Sequence, residues 1–193
     1  GSTVLKHPTT SLDLTEVARR ALSYQPTQLT QVALRELAQA RESLSRRMHG
    51  VDPSDLAAQR RAYDAYAEND PLPEMSTMSE IDLGGVSCLG LLPKGCSGDH
   101  VILWAHGGGF VMGSSRSHKG LAAHVAAAAK IAAIVPDYRL APEHRHPAAL
   151  EDIVSAYRAV LGEGVQPNRI ILAGDSAGGG LAVAAAMKLK EQG

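Results

Sequence analysis

The sequence is poor in aromatic residues, with one Phe and one Trp among 193 residues, so its core has to be built from aliphatic and small side chains. It has only two cysteines, Cys88 and Cys96, on either side of Pro93-Lys94-Gly95. Two cysteines do not staple a chain of this length, and without a C-x-x-C pair there is no zinc or dithiol redox motif, so both read as free thiols. No sign of charge dominates: 19 Lys and Arg face 20 Asp and Glu, for a formal net charge of -1. Such a balance does not gather phosphates, so nucleic acid is not an expected partner, and a basic pair such as Arg60-Arg61 reads as a solvated helix face. No apolar run reaches the ~18 residues that a membrane span requires, so none is expected. Neither a G-x-x-x-x-G-K-[ST] phosphate loop nor a dinucleotide fingerprint is present. Free thiols fit a reducing compartment, and the default expectation is a cytoplasmic location; the opening Gly1-Ser2 looks like a remnant of tag removal, which leaves room for a trimmed native signal peptide.

What is present falls into two parts, a helical segment over residues 1–70 and an alternating strand and helix region over 71–193. In the first, Leu29, Ala33, Leu37, Ala40, Leu44 and Met48 recur at three- and four-residue steps and form one apolar stripe, with Gly50 where a helix would end. Asp52-Pro53 then predicts a new helix, because Asp accepts from free amides and Pro at the first helical position loses no needed donor. The segment Asn69-Asp70-Pro71-Leu72-Pro73 stops it. Beyond Met75 the period changes. Met78 to Leu83 and Val86 to Leu92, divided by Gly84-Gly85, predict a hairpin. Val101 to Ala105, Ile131 to Val135 and Arg169 to Ala173 are short solid apolar runs, the pattern of parallel strands covered on both faces. Helices are expected between and after them, over Ser117 to Ala129, Pro147 to Leu161 and Ala177 to Lys190. Strands that alternate with helices imply crossovers, and so an α/β fold with a mostly parallel sheet.

Two glycine-rich motifs carry the chemistry. Gly174-Asp175-Ser176-Ala177-Gly178 stands between a strand and a helix and has the G-x-S-x-G form of a nucleophile elbow. A serine on so sharp a turn needs neighbours without bulk, and the turn lifts its hydroxyl to a helix N-terminus, where negative charge is favoured. The bland alternative is a glycine-rich turn that only packs helix on strand. His106-Gly107-Gly108-Gly109-Phe110 follows directly after a strand, and successive glycines let backbone amides converge on a substrate oxygen. Gly108 and Gly109 are the expected donors from this loop, with the amide of Ala177 as the third. His106 precedes the serine and sits on the donor loop, which suits an anchor better than a catalytic base. His144 and His146 form an H-x-H pair without a clear third ligand, so no metal is expected. Asp137-Tyr138-Arg139-Leu140-Ala141-Pro142-Glu143 reads as a charged corner in which Arg139 and Glu143 pair.

In order and spacing, these three motifs resemble those of the hormone-sensitive-lipase family of α/β-hydrolases, over about residues 70 to 193. The resemblance implies an α/β-hydrolase fold, incomplete here, with the helical N-terminal segment as part of a cap. It also implies a carboxylesterase in which Ser176 is the nucleophile and Gly108, Gly109 and Ala177 form the oxyanion hole. Short-acyl esters or small lactones would be the substrates and no cofactor would be needed.

In that family the triad runs Ser, then Asp or Glu, then His along the chain. Ser176 lies seventeen residues before the last residue, and all eight histidines precede it. The expected partner is therefore a complementary C-terminal segment that brings the acid and the histidine. Alone, Arg169 to Ala173 would form a bare apolar edge, an aggregation template, and the chain alone would be nearly inert. A homo-oligomer is compatible with all of this. The alternatives are a non-catalytic receptor on the same fold and an inactive structural fragment.

Overall fold

A computed structural model of the chain describes residues 34–39, 42, 50–67, 70–96, 98 and 100–192. The chain divides into two compact units, residues 1–46 and 47–193. In the first, residues 34–39 are helical, with Leu34 and Leu37 exposed, while Leu29, Ala33, Ala40, Leu44 and Met48 lie outside the described residues. All that follows concerns the second unit.

Helix α1 spans Leu56–Tyr66, so it starts later than the Asp52-Pro53 signal predicts. Asp52 accepts from the amide and hydroxyl of Ser54 at 2.8 and 2.7 Å and makes a local turn. The cap is Asp55, whose side chain accepts from the Ala58 amide at 2.8 Å. Both aspartates sit just ahead of free amides, and only the path of the chain decides which of them caps.

Strands β1 (Met75–Leu83) and β2 (Val86–Pro93) form the predicted hairpin, with Leu83 opposite Val86. Gly84 and Gly85 both take positive φ, 65° and 84°, and a two-residue loop of that kind matches the twist of the strands it joins. There follow β3 (Val101–Ala105), α2 (Ser115–Ala129), β4 (Ala132–Pro136), α3 (Ala148–Gly162), β5 (Ile170–Gly174) and α4 (Ala177–Glu191). Strand β4 starts after Ile131 because the Ile131 amide donates back to Ala126, closing α2 through left-handed Lys130.

The five-stranded sheet runs β1-β2-β4-β3-β5, with β3 parallel to both β4 and β5 and β2 antiparallel to β4. The core lies on both of its faces. Val101, Leu103 and Ala105 pack with Ile153, Ala156 and Val160 of α3 and Leu181 and Ala185 of α4, whereas Ile102 and Trp104 pack with Ala122, Ala123 and Ala126 of α2. All five residues of β3 are buried, which is why it reads as a solid apolar run rather than an alternating one. Strand β5 ends the sheet, and its Ile171 is 43% exposed, in line with the apolar edge expected there.

This topology positions the site. The chain leaves β3 on one side toward β4 and returns by α3 to β5 on the other. The segments that follow β3 and β5 therefore diverge from neighbouring strand ends, the place where open α/β sheets bind ligands. Register pairs Ala105 with Gly174, so the loop at His106 and the turn at Asp175 start side by side.

Candidate active site

Ser176 is exposed at the junction of β5 and α4, with φ 51° and ψ -123°, a left-handed conformation that non-glycine residues rarely adopt. The glycines around it answer to backbone rather than to flexibility. A Cβ on Gly178 would run into the carbonyl oxygen of Ala105 and stand 2.5 Å from that of His106, and one on Gly174 would stand 2.5 Å from that of Ala105. The first turn of α4 thus lies directly on the end of β3. Ala177 is the first residue of α4, so its amide is among the helix's N-terminal donors without an intrahelical acceptor.

The loop after β3 doubles back on itself, as the carbonyl of Gly108 accepts from the amides of Val111 and Met112 at 3.1 and 3.0 Å. Gly108, Gly109 and Phe110 all take positive φ, and a Cβ on Gly108 would collide with the Met112 carbonyl. Among the described residues no acceptor takes the amide of Gly108 or of Gly109. Beside Gly109 and Gly180 opens an apolar pocket of about 400 Å³, lined by Phe110, Leu150, Leu181 and Ala184 among others.

Asp175 fastens the two segments together. Its Oδ1 accepts from the indole of Trp104 at 3.2 Å and from the Gly107 amide at 3.1 Å, while its Oδ2 stands 3.3 Å from Nε2 of His118. His118, a buried residue of α2, stands in no sequence motif; its one signal is a bulky polar side chain on a helix face whose other buried residues are Ser115, Gly120 and three alanines. His106 is fully buried, stacks on the Tyr138 ring at 4.1 Å between centroids and donates from Nδ1 to the Gly107 carbonyl at 2.7 Å. Burial pushes its pKa down to about 4, so the ring is neutral, as an anchor rather than a proton shuttle would be. Tyr138 adds a bond from its hydroxyl to the His106 carbonyl at 2.6 Å. Among the described residues no histidine is hydrogen-bonded to Ser176.

The charged corner differs from expectation. Arg139 pairs with Asp152 of α3, Nη2 to Oδ1 at 2.7 Å and Nε to Oδ1 at 2.9 Å, not with Glu143. Glu143 pairs instead with Arg60 of α1 through two 2.8 Å bonds, which hold its carboxyl down to about 2. Arg60 is therefore not a solvated helix residue; it also donates to the carbonyls of Val111 and Ala141. A contact spanning 83 residues leaves no trace in local spacing. Asp137 accepts from the amide and hydroxyl of Ser115 at 2.6 and 2.8 Å and ties down the start of α2.

Comparison with known proteins agrees with this geometry. Residues 102–193 match a family model described as an alpha/beta hydrolase fold. LipR of Mycobacterium tuberculosis is 39% identical over 121 residues, 63% of this chain and 39% of its own length. An acetyl-hydrolase of Streptomyces hygroscopicus is 48% identical over 92 residues, 48% of this chain and 31% of its own length. The crystal structure of an esterase from the bacterial hormone-sensitive lipase family superposes with a TM-score of 0.76 at 38% identity, covering 82% of this chain and 53% of that one. The chain thus spans about a third of the length of these curated relatives and about half of the solved esterase. Among the described residues no helix is long and apolar enough to cross a membrane. By fold the chain is an α/β-hydrolase, and in its motifs it is similar to esterases of the bacterial hormone-sensitive lipase family, of which it spans about half.

Proposed function

We propose that this chain carries the nucleophile and oxyanion hole of a serine carboxylesterase acting on short-acyl esters or small lactones. The observation that supports it is a serine held at positive φ beside a loop whose two glycine amides meet no acceptor among the described residues, with both segments fastened by Asp175. Ser176 Oγ attacks the acyl carbonyl carbon as its proton passes to a histidine. The amides of Gly108, Gly109 and Ala177 take the charge on the carbonyl oxygen, and each such donor is worth about 10²- to 10³-fold in rate. Collapse of the intermediate expels the alcohol, which takes up that proton, and water then releases the acid from the acyl-enzyme. The apolar pocket beside Gly109 receives one side of the ester.

The histidine and its carboxylate partner come from a segment outside these 193 residues. The same segment covers the open edge of β5 and the exposed Val183 and Met187 of α4. Without it, loss of the base lowers turnover by about 10⁶-fold.

A fluorophosphonate probe tests the reading. The chain combined with that segment should be labelled at Ser176, with labelling lost in Ser176→Ala and weak in the 193 residues alone. Ligand binding by the completed protein with neither labelling nor ester turnover would refute it in favour of a receptor on the same fold.

A further inference from the structure

Helix α1 presents one face to the loop that follows β3. Arg60, Tyr63, Asp64 and Ala67 lie three or four residues apart and so share that face. Asp64 accepts from the hydroxyl of Ser114, the cap of α2, at 2.8 Å, Tyr63 packs its ring 6.1 Å from that of His118, and Ala67 is buried. At the other end of the face, Arg60 makes contacts to three separate points. Its Nε donates to the Val111 carbonyl at 2.7 Å, its Nη2 donates to the Ala141 carbonyl at 2.8 Å, and Nη1 and Nη2 each donate to Glu143 at 2.8 Å.

These points surround the catalytic loop. Val111 and Met112 are the residues whose amides hold the Gly108 carbonyl, and the Ala141 amide donates to the Phe110 carbonyl at 2.8 Å. Arg60 therefore grips the loop just after Gly109 and, through Ala141, grips it a second time at Phe110. Phe110 needs such support, since it is a non-glycine residue at φ 64° and is 41% exposed. A guanidinium suits this place because its planar fork serves a carboxylate and two carbonyls at once, which an ammonium on a flexible stem does not.

We infer that Arg60 is a positioning residue for the oxyanion hole: by bonding the Val111 and Ala141 carbonyls it holds the Gly108 and Gly109 amides where the developing oxyanion forms. This inference rests on the serine esterase reading above. It separates two contributions within the clamp. The carbonyl bonds reach the loop, whereas the ion pair with Glu143, more than half exposed on the glutamate side, secures the arginine and contributes little by itself.

The test uses the completed, active protein with a short-chain p-nitrophenyl ester and a trifluoromethyl ketone, whose bound hemiketal oxygen mimics the oxyanion. In Arg60→Met, kcat should fall about 10- to 100-fold, as expected for donors displaced by a fraction of an ångström to one ångström. KM should stay within a few-fold, and affinity for the ketone should weaken in parallel with kcat. Glu143→Gln keeps both carbonyl bonds and should retain most of kcat. Arg60→Lys keeps the charge but not the fork, and should resemble Arg60→Met; it carries the same readout should Arg60→Met not fold. A parent-like kcat and ketone affinity in the arginine variants, or an equal loss in Glu143→Gln, would overturn the inference alone. A parent that neither turns over ester nor loses labelling in Ser176→Ala would overturn the esterase reading itself.

Discussion

Two alanine substitutions in the first turn of α4 should move stability in opposite directions. At Gly178 the added methyl would meet the carbonyl oxygen of Ala105 well inside van der Waals contact and that of His106 at 2.5 Å. Both obstacles are backbone, one in the fully buried β3 and one on the loop locked by Tyr138 and Asp175. No side chain can swing away, so α4 must lift from β3 or the sheet must yield. Forced overpacking of this kind typically costs about 1–3 kcal/mol, and backbone obstacles place Gly178→Ala at the upper end. Two residues on, a methyl at Gly180 meets nothing within 4 Å, and φ there is not in the left-handed region. Gly180→Ala should therefore show only the helix-propensity gain of roughly 0.5–1 kcal/mol. For a chain of this size 1 kcal/mol moves Tm by about 2–4 °C, so the two variants should differ by about 7–16 °C, one on each side of the parent. Urea and thermal unfolding of the pair measure this directly. Equal Tm values, or a stabilised Gly178→Ala, would refute the claim that α4 is seated on the end of β3 by the absence of a side chain.

The depressed pKa of His106 sets an acid limit. Its folded value of about 4 lies below the unfolded 6.5, so the unfolded chain binds the extra proton first; stability is full above pH 6.5, falls as pH drops toward 4, and is flat with respect to this group below that. The loss sums to about 3 kcal/mol, and urea midpoints of the parent and His106→Gln between pH 7 and 4 would show it, since the variant should lack this slope. Burial also pushes the Cys88 thiol up to about 12, so Cys96 alone should react with a thiol reagent at neutral pH in the native state. Stoichiometric titration before and after denaturation checks this, and two fast native thiols would contradict the packing of β2.

Much of the fold was legible because it is written in local chemistry. The solid apolar run of Val101 to Ala105 is β3 to the residue, and Gly84-Gly85 marks the hairpin turn because only glycine takes two positive φ values there cheaply. The strand boundaries at Ile131 and Arg169 shifted by one residue, since capping of α2 and the turn Pro167–Arg169 claimed those positions. Charge pairing was read less well. Arg139 and Glu143 are four residues apart and both take other partners, Asp152 and Arg60, because α3 and α1 bring those groups closer than the local chain does.

By itself the sequence determined which residue types stand at the site: the serine between glycines, the glycine loop after a strand, and an α/β order of elements, all set by steric and periodic rules acting over a few residues. Only the tertiary structure decided what holds them. That Asp175 joins the elbow to Gly107, that His118 backs it, that His106 is buried and neutral, and that Arg60 grips the loop across more than fifty residues of chain all depend on packing of α1, α2 and the sheet. Such contacts arise from where elements come to lie, and hydrogen-bonding groups carry no local mark of the partner they will meet.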